Sequence, residues 1–522
     1  MSAEQKDFYI TTAISYSNGD PHLGHAYEAI ATDVIARYKR LCGFHVHFLT
    51  GMDEHGQKVE KTALQHGISP QDFVDGIADK FQAMLGLLNI SNDDFIRTTQ
   101  VRHKKTSQAL WQRLEEAGDI YLGNYAGWYS VRDEAFFGED ELSENEQGEK
   151  IAPSGAPVTW VEEPSYFFKL SAYTAKLLRY YEQNPDFIRP EFRRNEIMEF
   201  VKRGLTDLSI SRASFKWGIK VPHDDDHIMY VWLDALTNYI SALDAPDLNN
   251  SEGHPPLYQQ FWPADYHIIG KDIMRFHTIY WPAFLMSAGL PIPKHVFGHG
   301  FININGIKMS KSLGNVVTPN DLIDMFGLDQ LRYFLMREVP FGQDGSFSRE
   351  SMILRMNSDL ANDLGNLAMR TLSMIHKNCD GIMPKLGDMD EKDKQLLDMA
   401  YGLPQRIDGL MAQLQIHRAL EGIWRLIGQA NRYIDDKAPW ALRKTDINAM
   451  AHVLAVVCET LRVIGILTLM VTPHASQKLL NQLGIPNDKR KIADIKDNSL
   501  PCGEALPKPE GIFPRYVEEK QG

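Results

Sequence analysis

The chain has 522 residues, 43% hydrophobic and 24% charged, with 26 prolines spread along it, a profile of a soluble globular protein of several domains. A net charge of −13 argues against a surface coated throughout in nucleic acid, though it leaves room for a local basic track. Met1 to Asp7 has no apolar core or small-residue cleavage pattern, and the four cysteines (Cys42, Cys379, Cys458, Cys502) form no C-x-x-C pair, so reduced thiols in cytoplasm are expected.

In chain order, Phe8 to Ile14 reads as a buried strand, and after the break at Gly19 to Pro21 apolar residues at Ala26, Ile30, Val34, Tyr38 and Leu41 predict a helix. His45 to Thr50 is the next strand, Gln71 to Leu88 a helix, Asp94 to Thr98 a strand and His103 to Ala117 a helix. Such alternation predicts a parallel sheet with helices on both faces, and ligands at the carboxyl ends of its strands. From Asp119 to Pro222 the pattern changes to aromatic strands (Tyr121 to Val131, Val158 to Leu170), acidic turns and a helix near Ala172 to Gln183. This segment reads as an insertion. Alternation resumes at Ile228 to Tyr239, then a strand Tyr266 to Ile269, a helix Asp272 to Ala288, and Val296 to Ile307, where Asn305-Gly306 signals a tight turn. Beyond Thr318 nearly everything is helical. Leu396 to Leu414, His417 to Asp435 and Ala449 to Val471 predict a bundle. Val453 to Val471 is lipid-like, yet Glu459 and Arg462 in its middle favour a buried bundle helix over a membrane span. Arg332, Arg337, Arg349, Arg355, Arg370 and Lys377 lie close in sequence and fit either a basic track or a solvated charged face.

Two motifs carry chemistry. His22-Leu23-Gly24-His25 follows the first strand and opens a helix, where amides and helix dipole favour phosphate and two imidazoles add donors. Gly24 is expected to let ATP lie against the backbone. Far downstream, Lys308-Met309-Ser310-Lys311-Ser312 follows the Asn305-Gly306 turn, placing two lysines where they can reach a triphosphate and its leaving pyrophosphate. Either motif alone is weak, and the second could be a solvated basic loop. In the C-terminal half, Asn366 and Arg370 share a helix face and Trp440 follows Pro439 at a helix start, which alone reads as a packed helix pair with a core tryptophan.

Together and in this order the two motifs resemble the paired signatures of class I aminoacyl-tRNA synthetases. The resemblance to the methionyl-tRNA synthetase family runs along almost the whole chain, through Ala13-Ile14-Ser15-Tyr16, Gly51-Met52-Asp53-Glu54-His55-Gly56, Val231-Trp232-Leu233-Asp234-Ala235, Gly270-Lys271-Asp272-Ile273, Phe276-His277 and Asn431 through Ala438-Pro439-Trp440. It implies an α/β fold, a Rossmann-like parallel sheet split by a connective insertion, followed by an all-α helical bundle. The expected divisions are 1–118 and 223–320 for the catalytic halves, 119–222 for the insertion, 321–375 for a stem-contact linker and 376–522 for the anticodon-binding bundle.

By the same resemblance, methionine and ATP with Mg²⁺ give methionyl-adenylate, which is transferred to tRNA(Met), the initiator included. His22, His25, Lys308 and Lys311 are the expected catalytic groups. Gly24, Lys271, Asp272, Met309, Ser310 and Ser312 complete the ATP site. Asp53 can pair with the substrate ammonium group. Trp232, Ala235, Leu236 and Tyr239, by spacing alone an ordinary core stripe, are expected to line the methionine pocket with Ala13, Ile14, Tyr16, Ile273 and His277. Asn366, Arg370 and Trp440 are expected to read the anticodon, tryptophan by stacking.

The chain departs from relatives that carry C-x-x-C zinc knuckles. Tyr129 to Glu134 and Ala152 to Gly155 stand at those places, and no Cys or His occurs from 104 to 222, so no metal and specifically no zinc is expected there. With the chain ending at Gly522, no appended tRNA-binding domain and hence a monomer is expected. Among rivals, enzymes for branched amino acids need a larger editing insertion, and a cysteine enzyme needs thiolate zinc ligands. A small-molecule nucleotidyltransferase sharing H-x-G-H would need no tRNA-reading bundle. A non-catalytic tRNA-binding paralogue would not be expected to keep both motifs.

Overall fold

The computed structural model describes residues 6–133, 135–145, 147–245, 255–304, 306–308, 317–496 and 500–518. It divides into two compact units, one of residues 7–21 with 46–299, the other of 1–6, 22–45 and 300–522.

The first unit is built on a seven-stranded sheet in the order Ile188–Arg189, Val296–His299, Tyr266–Gly270, Asp7–Thr12, His45–Asp53, Ser15–Tyr16, with Asp94–Arg97 also pairing His45–Asp53. Registered pairs are parallel, Ile10 lying opposite Tyr266, His267 opposite Val296 and Leu49 opposite Asp94. Parallel strands buried on both faces need near-continuous apolar runs, as in Phe8-Tyr9-Ile10 and Ile268-Ile269, all buried. The helices start where local signals direct: Ser69 caps Pro70–Leu87 by accepting from the Asp72 amide, with Pro70 at its first turn. Two further helices, Gln57–Gln65 and Glu191–Lys202, had no place in the sequence reading.

The insertion contributes an antiparallel sheet whose long hairpin pairs Ile120–Ser130 with Thr159–Phe168 from Ile120 opposite Phe168 to Tyr129 opposite Thr159. It is not a separate core. Phe168, Tyr181 and Phe187 belong to one buried cluster with Tyr9, Leu49, Trp111 and Trp281 of the sheet and its helices, and Phe168 meets Phe284 edge-on at 4.9 Å.

The helix expected over Asp272 to Ala288 is broken into a 3-10 turn at Lys271–Ile273, a π turn at Phe276–Tyr280 and an α segment at Trp281–Ser287. Pro282 explains the irregularity: without an N–H it cannot bond the Thr278 carbonyl, which instead accepts from the Tyr181 hydroxyl at 2.5 Å. The wider turn sits under Phe276 and His277, a placement common for π turns at functional sites.

In the second unit the helix Leu23–Leu41 joins a C-terminal assembly made mainly of Glu391–Ala412, Ile416–Lys437, Ile447–Thr468 and Pro473–Gln482. The tight turn expected at Asn305-Gly306 is met where it is described: Ile304 lies opposite Ile307 in an antiparallel pair and Gly306 takes φ 78°, a backbone state glycine adopts without strain, while Asn305 lies outside the described residues. Among the described residues only Ile447–Thr468 is long and apolar enough to cross a membrane, and it is largely buried. Its two charges, Glu459 and Arg462, are fully buried and paired at 2.6 Å, with Tyr401 donating to Glu459 and Arg462 donating to the Asp494 and Ile495 carbonyls. It is the buried bundle helix the sequence suggested.

The arginine run does not form an open basic track. Arg332 is buried against Asp33 at 2.6 Å, Arg337 pairs Glu421, Arg349 pairs Glu518, Arg355 pairs Glu338 and Asp359, and Arg370 pairs Asp435. Acidic partners on other elements neutralise what looked basic in one dimension.

Candidate active site

His22 caps the helix Leu23–Leu41, its Nδ1 accepting from the Gly24 amide at 3.1 Å, while its own amide donates to His25 Nδ1 at 3.2 Å. The rings stack with centroids 3.8 Å apart. With each Nδ1 engaged as an acceptor, the neutral tautomer carries its proton on Nε2, so each ring presents an N–H donor from that edge. Burial, with the neighbouring His22 ring, pushes the His25 pKa down to about 3, so it works as a neutral donor at physiological pH. Glycine at 24 also has a steric reason: a Cβ there would lie 2.9 Å from His22 Cε1 and 3.1 Å from Nδ1, so it makes room for the capping imidazole.

Lys308 ends the short hairpin strand, opposite Asn303. Met309, Ser310, Lys311 and Ser312 lie outside the described residues.

In the first unit the parallel strands end together. Asp53 closes His45–Asp53, 7% exposed, pairs in register with Tyr16, and its carbonyl accepts from the Ser17 amide and hydroxyl, both at 2.9 Å. Lys271 and Asp272 occupy the single 3-10 turn immediately after the strand Tyr266–Gly270. The spacing of Trp232, Ala235, Leu236 and Tyr239 is helical as read, in Val231–Leu236 and Asn238–Ser241. Ala235 and Leu236 are buried, whereas Ala13, Ile14, Trp232, Ile273 and Phe276 are half-buried on the same core. Half-buried apolar side chains keep one face that the core does not cover, an apolar wall against which a ligand can lie.

Two contacts organise that wall. The Trp232 indole lies flat on Phe276, centroids 3.5 Å apart at 6°. Tyr239 donates its hydroxyl proton to His277 Nε2 at 2.6 Å, and His277 Nδ1 donates to the Ile273 carbonyl at 3.0 Å, which settles its tautomer. Burial takes the His277 pKa down to about 4, so a neutral, fixed ring closes this part of the wall. Phe276 stood in a quoted motif without being assigned a role; its partner Trp232 lies in a different element, which spacing cannot reveal.

One further constellation was missed. Asp234, fully buried, takes His55 Nδ1 on Oδ2 at 2.6 Å and His103 Nε2 on Oδ1 at 2.7 Å. Burial alone would raise its pKa, but the two imidazoles hold it at about 2. The signal available in sequence was a lone acid inside the apolar run Val231-Trp232-Leu233-Asp234-Ala235-Leu236.

In the helical bundle Asn366 is exposed and Arg370 half-buried on the helix Asn366–Asn378. Arg370 donates to Asp435 at 2.9 Å and to the Asn431 side chain at 3.0 Å. Trp440 is 43% exposed on a short helix that follows Ala438, which sits in the left-handed region at φ 44°. It is not a core tryptophan.

At the place of a metal knuckle, Asp133 accepts from Ser130 at 2.8 Å and Ser154 at 2.5 Å, and Arg132 donates to the Ser154 carbonyl, also at 2.5 Å. Two hydroxyls and one carboxylate are a hydrogen-bonded clasp and a poor donor set for zinc, which favours thiolate and imidazole. No group of three or more metal-type side chains occurs among the described residues.

The family described as tRNA synthetases class I (M) matches residues 8–372, and the anticodon binding domain of methionyl tRNA ligase matches 383–522. Among curated proteins, Methionine--tRNA ligase of Brucella suis is 56% identical over 518 residues, covering 99% of each chain, and that of Rhizobium meliloti is 55% identical over 511 residues and 98% of each. A solved structure, Mycobacterium tuberculosis methionyl-tRNA synthetase in complex with methionyl-adenylate, superposes with a TM-score of 0.95 at 52% identity, covering 98% of this chain and 100% of that one.

Proposed function

The chain belongs to the methionine--tRNA ligase family of class I tRNA synthetases, and from that premise we propose how its own residues divide the reaction. It activates methionine with ATP to methionyl-adenylate, releasing pyrophosphate, and transfers the methionyl group to tRNA. The small-molecule nucleotidyltransferase reading is not favoured, since the anticodon-binding region 383–522 has no use there.

Adenylation needs no covalent bond to the protein. The methionine carboxylate attacks the α-phosphate, the bond to the bridging oxygen breaks, and pyrophosphate leaves with the electron pair; the enzyme supplies position and charge. Asp53 takes the substrate ammonium group. Ala13, Ile14, Tyr16, Ala235, Leu236 and Ile273 frame the thioether, with Trp232, Tyr239 and His277 as its polar-edged aromatic wall. His22 and His25 offer their Nε2 protons to phosphate oxygens, with Gly24 leaving the imidazole in place. Lys308 and Lys311 neutralise the leaving pyrophosphate, with Met309, Ser310 and Ser312 shaping their loop. Lys271 and Asp272 hold the nucleotide. Mg²⁺ arrives with ATP and shares its phosphate charge.

Asn366, Arg370 and Trp440 read the anticodon, initiator tRNA included; the exposed Trp440 indole supports stacking on an unpaired base. A cytoplasmic, monomeric enzyme without zinc is the accompanying proposal, supported by free cysteines and the Asp133 clasp. The divisions at 118, 222, 320 and 375 remain the proposed functional boundaries.

The observation that carries the pocket assignment is the half-buried Trp232–Phe276 stack beside the Tyr239–His277 pair. ATP–pyrophosphate exchange against the twenty amino acids tests it: methionine should drive exchange, and exchange driven mainly by leucine, valine or cysteine overturns it. In the same assay Lys311→Ala should lower the rate about 10²–10³-fold with methionine binding nearly unchanged.

A further inference from the structure

We propose that Asp234 is a positioning residue that sets which length of amino-acid side chain the enzyme accepts, by tying the pocket helix to the strand end that carries Asp53. The inference rests on the assignments of Asp53 and Trp232 made above.

Asp234 lies two residues after Trp232 on Val231–Leu236, and His55 lies two residues after Asp53 at the end of His45–Asp53. The Asp234–His55 bond of 2.6 Å therefore links the element holding the substrate ammonium group directly to the element holding its side chain. The other carboxylate oxygen bonds His103 on Val101–Glu116, whose Nδ1 bonds Ser241 Oγ at 2.8 Å, anchoring the joint to the body of the unit. Both oxygens are used, Asp234 and His103 are fully buried and His55 nearly so, so neither bond can swing without leaving a charge unpaired.

A buried, hydrogen-bonded carboxylate is a poor source of net stability, yet its bonds are directional where apolar packing is not, and fixing register is the best-attested use of such a group. His55 is further braced by the Trp217 ring at 5.5 Å, and the Trp217 indole N–H donates to the Glu54 carbonyl at 2.6 Å. A substrate gripped at two ends is measured by the distance between the grips. Loosening the Asp234–His55 link lets that distance vary, so the enzyme should discriminate less by length while still distinguishing little between isosteres of equal length.

The two arms of Asp234 make the test. His55→Gln breaks the strand-side arm, and His103→Gln breaks the other with a comparable loss of buried pairing. Pyrophosphate exchange is measured with methionine, norleucine (equal length), S-methylcysteine (one methylene shorter) and ethionine (one longer), alongside Tm. We expect His55→Gln and Asp234→Asn to raise the KM for methionine at least tenfold with the KM for ATP unchanged. The preference for methionine over S-methylcysteine or ethionine should shrink at least threefold while the preference over norleucine holds. His103→Gln should lower Tm with the length preference kept. The proposal is overturned if His103→Gln relaxes the length preference as far as His55→Gln does, or if His55→Gln leaves it unchanged. Asp53→Asn serves as the control on the underlying reading: if it leaves the KM for methionine unmoved, the ammonium assignment is wrong whatever the other variants show.

Discussion

Replacing Trp440 with alanine should separate the two half-reactions. Truncating a fully buried tryptophan costs ~3–5 kcal/mol, but 43% of this side chain is already in solvent. The stability cost should therefore be about 2–3 kcal/mol, in proportion to the area actually withdrawn from water. Losing a base stacked on the indole costs ~1–3 kcal/mol of tRNA binding, or about 5- to 140-fold in affinity. Nothing in adenylate formation depends on that stack. Methionine-dependent pyrophosphate exchange should stay near wild type while the KM for tRNA in charging rises about fivefold or more and Tm falls only slightly. All three quantities belong on one preparation. Exchange and charging falling in parallel with a large drop in Tm would refute the stacking role and restore a packing one.

Gly24→Ala places a Cβ 2.9 Å from His22 Cε1, so the imidazole must leave its cap, at a cost of about 1 kcal/mol and about 10²-fold in exchange rate; an unchanged rate would show that the ring's position is immaterial. Acid should destabilise each unit through its buried histidine. Burial depresses the folded pKa of His25 to about 3 and of His277 to about 4 from 6.5, so their stability is full above pH 6.5 and is lost as pH falls toward those values. The loss is about 2 kcal/mol for each at pH 5. Urea midpoints measured at pH 7, 6 and 5 should fall steadily, more steeply than in His277→Gln; a flat profile contradicts this. Asp133→Ala should expose the insertion loops to proteolysis by removing the acceptor of Ser130 and Ser154, at about 1 kcal/mol per bond. Wild-type exchange should survive a zinc chelator with Mg²⁺ in excess, and about one Zn²⁺ per chain lost together with activity would refute the metal-free clasp.

The sequence by itself determined what is local. The alternation of Phe8-Tyr9-Ile10 with the Ala26 to Leu41 stripe, the turn through Gly306 and the apolar helix with its internal Glu459 and Arg462 all stand as read, because periodicity, turn chemistry and burial act over a few residues. The stretches His22 to His25 and Lys308 to Ser312, which point to the family, were legible for the same reason. Partnership was not. His55 and Asp234 are 179 positions apart, and Tyr239 and His277 38 apart. The arginine run looked basic until Asp33, Glu421 and Asp435 arrived from other helices. Pro282 disturbs its helix in a way that only the Tyr181 hydroxyl, from the insertion, makes tolerable. A hydrogen bond needs its atoms within about 3 Å, and which atoms meet is set by the order of strands in the sheet and the packing of helices on it. That order is decided by burying the whole core at once, and no stretch of sequence carries it alone.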